Sequence, residues 1–214
     1  MEPTSLEDAR AILRANLLDL DAVRNYFHVR VSALWRARLR EVPFDRIVLK
    51  EFKDTHLLFA GVPLSILDLR KRTDQRLFQR PLWYARDQFA RDERVTLRWY
   101  LLRKDVVPGS MGRAFMEQVP LLGEEEEVPR ACEAAYGILL YFLARGVRLF
   151  ANTCARCIDL ALSEGTPAHA RIDVGDFNDS GIGVALWDDE PDEGIGLASM
   201  VVPTGAKKQK LLQR

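Results

Sequence analysis

The stretch "RACEAAYGILLYFLARG", residues 130–146, predicts one helix and leaves it no polar side. At 3.6 residues per turn Ala134, Ile138, Leu139, Tyr141, Phe142 and Leu143 cover every face, so this helix has to be buried. Pro129 suits its first turn and Gly146 its C-cap. The four glutamates of "GEEEE" (123–127) then lie at or before a helix N-terminus, where the macrodipole favours acids. The longest apolar run, 134–144, has 11 residues, short of the roughly 20 a membrane span needs. It predicts a central core helix.

Downstream, "VRLF", "TCARCIDL", "HARIDVGDF", "IGVALW" and "IGLASMVV" read as short strands between turn-rich stretches. Upstream, Ser5 and Asp8 resemble a capping box ahead of Leu6, Ala9, Leu13 and Leu17 at helical spacing. A second helix is expected from about Asp21 to just before Pro43. "RIVLKEF" and "THLLFAGV" are β-like, "LSILDLRKR" allows one or two helical turns, and "RVTLRWYLLRK" (94–104) is the clearest strand. Ser110 is placed to cap a helix over "MGRAFMEQVPLL". Helices, strands, two helices and a final run of strands make an α+β layout. Residues 1–43 are expected to be a helical N-terminal extension, 44–206 the α+β domain and 207–214 a basic tail.

With 48% hydrophobic and 29% charged residues, the 214-residue chain has the composition of a soluble globular protein. Its zero net charge hides an asymmetry. Residues 1–104 carry 21 Lys+Arg against 14 Asp+Glu, and residues 105–214 carry 10 against 17, so the halves are +7 and −7. They can attract each other or face different partners. The basic residues are spread over helices with apolar faces, so nucleic acid is not an expected partner. The N-terminus lacks a basic start and an apolar core, so the expected location is the cytoplasm.

Cys154-x-x-Cys157 is half of a zinc site or a redox pair, with no second pair and with His28, His56 and His169 scattered. In a strand the two cysteines face opposite sides. Neither zinc nor a disulfide is expected. "DFNDSG" (176–181) begins like a calcium loop, but Trp187 stands where the closing glutamate belongs, and a turn explains the same letters. Nothing assembles into a catalytic triad, a phosphate loop or a His-containing metal motif, so no catalytic residue, cofactor or metal site is assigned.

From Ile172 to Ala206 there is no Lys or Arg but there are eight carboxylates: Asp173, Asp176, Asp179, Asp188, Asp189, Glu190, Asp192 and Glu193. Here the chain resembles a known family. "ALWDDEPDEGIGLASMVV", after two helices and short strands, resembles the end of C-type-lectin-like proteins, specifically the branch of formylglycine-generating enzymes and the variable proteins of diversity-generating retroelements. Trp187-Asp188-Asp189 and Gly196-Leu197-Ala198 occupy the matching places. "FKDTHLLFAGVPLSILDLR", "VTLRWYLLRKDVVPGS" and the stretch from Arg171 to Ser199 also resemble a group of uncharacterised bacterial proteins. The likeness covers about residues 50–203. It departs from the enzymes: "RGGSW" is missing and their catalytic cysteines have no match, so no activity is carried over.

The resemblance implies a C-type-lectin-like fold and a non-catalytic ligand-binding protein with a polar, diversified surface. Asn, Asp, Ser, Gly and Tyr are what adenine-directed mutagenesis produces. The expected ligand-binding residues are Asp176, Asn178, Asp179, Ser180, Asp188, Asp189, Asp192 and Glu193, exposed on one face, with Trp187, Ile195, Leu197 and Val201 turned inward to anchor the hairpin. The ligand would be a protein or a carbohydrate, and the N-terminal helices could pair two copies of the chain. The alternatives are a structural or assembly protein with a solvated acidic hairpin and, third, a metal-dependent enzyme.

Overall fold

A computed structural model describes residues 2–161, 170–188 and 190–203, in a mixed α+β arrangement. The strand β1 (Thr4–Ser5) leads into α1 (Leu6–Leu13), where Ser5 Oγ accepts the Asp8 N–H at 3.1 Å. Next come β2 (Leu17–Leu18) and α2 (Leu20–Phe27). The single helix expected up to Pro43 is broken. His28 ends α2 with a left-handed φ of 52°, the β-branched Val29 and Val31 disfavour helix, and Ser32 caps a new one, α3 (Ala33–Arg38).

After β3 (Glu41–Val42), "RIVLKEF" forms the helix α4 (Arg46–Phe52) rather than the expected β-like run. Asp45 favours it, because its Oδ1 accepts the N–H groups of Ile47 and Val48, each at 2.9 Å. Then follow β4 (His56–Ala60), α5 (Ile66–Arg72) behind a Ser65–Asp68 capping box, α6 (Gln88–Arg91) and β5 (Trp99–Arg103). β5 is shorter than the strand expected over 94–104, since Thr96 N–H donates to the Tyr100 hydroxyl and Val95 N–H to Leu64. α7 (Phe115–Gln118) starts well after Ser110, which instead accepts the Leu197 N–H on its Oγ.

The glutamates before the long helix do not serve its dipole as expected. Glu126 and Glu127 form β6 (Glu126–Glu127), are buried, and pair with Arg103 and Arg98 at 3.4 and 3.6 Å. The helix α8 (Ala131–Arg145) is buried from Ala131 to Tyr141 and ends on Gly146 at φ 70°, as the sequence predicts. Pro129 stands one residue ahead of the cap rather than in the first turn. The chain finishes with β7 (Cys154–Leu160), β8 (Arg171–Asn178), β9 (Gly181–Trp187), β10 (Ile195–Leu197) and β11 (Met200–Val201).

β1 pairs with β3. The other strands make two sheets, ordered β2-β4-β5-β11-β6 and β10-β7-β8-β9. α8 lies between them. Gly137 meets Phe59 and Leu102 of the first sheet, and the Phe142 ring packs edge-on against Phe177 of the second, centroids 4.8 Å apart. Ala9, Val23, Phe27 and Val42 belong to the same core cluster as Leu58, Leu139 and Val174, so the boundary expected after residue 43 does not divide the core. Residues 207–214 lie outside the described residues. Among the described residues no helix is long and apolar enough to cross a membrane.

Candidate functional site

β7 and β8 run antiparallel with Arg156 opposite Asp173, and Ala185 of β9 flanks Asp173 on its other side. Alternation sends Ala155, Cys157, Ile172, Val174 and Val184 into the core. Cys154, Arg156, Asp173 and Ala185 therefore share the opposite face. Two loops are tied over it. Arg156 donates to the carbonyls of Arg113 and Glu190, both at 2.6 Å, and the Gly112 N–H to the Asp192 carbonyl at 2.9 Å.

Asp173 is 1% exposed, and neither carboxylate oxygen has a hydrogen bond of full geometry among the described residues. Burial pushes its carboxyl up to about 6; the Cys154 thiol and the Arg156 charge oppose this, and Asp192 adds to it. Burial also drives the Cys154 thiol well above its ordinary range, helped by Asp173, Asp176 and Asp192. A thiol held protonated is a poor nucleophile. Cys157 faces the core from the other side of the strand, and all three cysteines are unpaired. Among the described residues no three His, Cys, Asp or Glu side chains converge to hold a metal. His169 is outside the described residues.

The β8–β9 turn brings four of the expected residues together. Asp176, Asp179 and Ser180 are exposed and Asn178 is half-buried. Asn178 Oδ1 accepts the Ser180 N–H at 2.8 Å, which makes "DFNDSG" a side-chain-stabilised turn. Asp176 has φ 42° and Gly181 φ 108°, conformations that suit Asp and Gly. Gln79 clamps the turn from outside, donating to the Asp176 carbonyl at 2.8 Å and to the Gly181 carbonyl at 3.2 Å. Arg148 pairs with Asp179 at 2.8 Å.

The remaining residues divide. Asp192 is half-buried beside the Cys154–Asp173 group and Glu193 is exposed next to Gly112. Asp188 follows Trp187, whose partner Arg171 begins β8, so it lies at the opposite end of the hairpin from the turn. Asp189 lies outside the described residues. Trp187 is not the inward anchor expected: it is 36% exposed, because alternation puts it with Ala185, opposite Val184 and Leu186. Ile195, Leu197 and Val201 are buried as expected.

In the sequence Asp173 is one acid of eight, and little local marks Arg156, Gln79 or Arg148. The one signal available was a charge inside the apolar run "CARCIDL". Its partners depend on strand register, which a single sequence does not show. The comparisons add no identity: no family model, no curated protein and no solved structure matches this chain.

Proposed function

We propose that the chain is a non-catalytic binding protein of C-type-lectin-like type. Its ligand face comprises the Asp173 side of the second sheet, the 176–180 turn and the acids Asp192 and Glu193, and its partner is a protein presenting lysine or arginine. The observation that carries this is the Asp173 carboxylate, buried and without a full hydrogen bond among the described residues. Such a group costs several kcal/mol, which the Arg156 charge and the Cys154 thiol offset only in part, since burial still holds the carboxyl at about 6. A cation docked between Asp173, Asp176 and Asp192 would supply donors and opposite charge. The order of elements supports the C-type-lectin-like reading. The acidic loop runs directly into β10 and β11, and β11 returns to pair with β5 and β6 of the first sheet. In this reading Asp176, Asn178, Asp179 and Ser180 are the ligand-contacting positions on the turn that Gln79 clamps.

The test replaces those four residues together by alanine and compares the variant with the parent chain by thermal melting and on arrays of basic peptides and glycans. The variant loses the Asn178–Ser180 bond, the Arg148 pair and a favoured residue at the φ 42° position, so it should melt lower than the parent chain but still as a folded protein. It should also lose basic peptides that the parent binds. An unfolded variant would make the turn structural, and unchanged binding would make it a solvated hairpin. Binding to glycans alone would replace the protein partner by a carbohydrate.

A further inference from the structure

Opposite in charge to the acidic strands, a cleft of about 590 Å³ opens between the C-terminal ends of α1 and α4. Arg14, Lys50 and Lys53 line it and are exposed, and Asp54 is the one carboxylate in its lining. None of the three cations makes an ion pair among the described residues. Two more cations stand behind the wall. Lys104 Nζ donates to Asn16 Oδ1 at 3.3 Å, and Arg145 Nε donates to the Ala15 carbonyl at 2.9 Å. Asn16 is itself held by its bond to the Lys53 carbonyl at 2.7 Å. With Asp54 as the one acid, the lining of the cleft keeps a positive balance.

The dipoles of α1 and α4 account for a cation at each helix end. They do not account for Arg14, whose backbone takes φ 51° and ψ −116° without being glycine. Strain of this kind persists where the surrounding structure imposes it, often at binding sites. We propose that this cleft binds a small phosphorylated molecule, with Arg14, Lys50 and Lys53 on the phosphate oxygens and Ile12 against the organic part. Lysine ammonium groups and the arginine fork are the side chains suited to phosphate. The volume falls in the usual range for a small ligand.

The experiment titrates the full chain with adenosine triphosphate, inorganic pyrophosphate, sulfate and a single-stranded oligonucleotide at constant ionic strength, followed by calorimetry and melting. Adenosine triphosphate and pyrophosphate should bind and raise the melting temperature. The K50A/K53A variant should lose at least about tenfold in affinity for both. Arg14→Gly should melt at the same or a higher temperature without ligand, yet bind several-fold more weakly, a combination that a purely structural arginine would not produce. Absence of binding by the parent chain, unchanged affinity in the variants, or an equal response to sulfate would overturn the proposal. Tighter binding of the oligonucleotide would overturn it in favour of a nucleic-acid surface.

Discussion

Glu126 and Asp173 are both buried carboxylates, and their neighbours send them to opposite ends of the acid range. Burial opposes ionisation of Glu126. Nearby His56, the Gly123 N–H, the Ser199 hydroxyl and the Arg103 charge outweigh it and hold the carboxyl at about 2. Its contribution to stability is therefore present above the ordinary value of 4.5 and is lost as pH falls through about 2. Glu126→Ala should cost about 3 kcal/mol near neutral pH, with much of the loss gone at about pH 2. Asp173 has the reverse sign. Its folded carboxyl, at about 6 against an ordinary 3.8, holds a proton that the unfolded chain has already released. Stability falls as pH rises across that window, by about 3 kcal/mol in all. Asp173→Asn should raise the melting temperature near neutral pH, and the gain should vanish by about pH 4. If the proposed ligand face is right, the same substitution weakens binding of basic peptides.

Among the elements, α8 was the most legible, because an all-apolar helix has only one place to go. What the sequence did not reveal is how closely it packs. A Cβ at Gly137 would lie 2.7 Å from Phe59 Cε1 and 2.8 Å from Leu102 Cδ2. Phe59 cannot easily yield, since its ring is stacked between Tyr100 and Tyr136 at 5.0 and 5.2 Å. Gly137→Val should therefore destabilise by about 2 kcal/mol through overpacking, read as a lower denaturant midpoint with an unchanged slope. Short elements were harder to read. "RIVLKEF" has β-branched residues and no clear period, so the Asp45 cap weighs more than local propensity. The "EEEE" run shows the same limit, since its acids are placed by Arg98 and Arg103 far away in sequence.

At the scale of the whole molecule, the two oppositely charged halves meet. Arg98 with Glu127 and Glu133, and Arg103 with Glu126, join the basic half to the acidic one beside the five-stranded sheet. Residues 2–43 share the core of this body. β2 extends the sheet next to β4, and the Phe27 ring lies 4.8 Å from Tyr136 on the central helix. A chain lacking residues 1–43 should lose cooperative thermal melting and near-ultraviolet dichroism, because it would expose the apolar faces of β4 and α8. Cooperative melting of that fragment would restore the picture of a separable extension.

By itself the sequence determined the α+β class, the core helix 131–145, the polar β8–β9 turn and the inward direction of Ile195, Leu197 and Val201. Each of these follows from periodicity or turn chemistry within a few residues. Only the tertiary structure decided that Asp173 sits opposite Arg156, that Trp187 faces outward, that Arg148 answers Asp179, and that Arg14, Lys50 and Lys53 share a cleft. Those relations depend on strand register and on contacts between residues far apart in the chain. A shift of one residue in register would have reversed every face of β8 and β9.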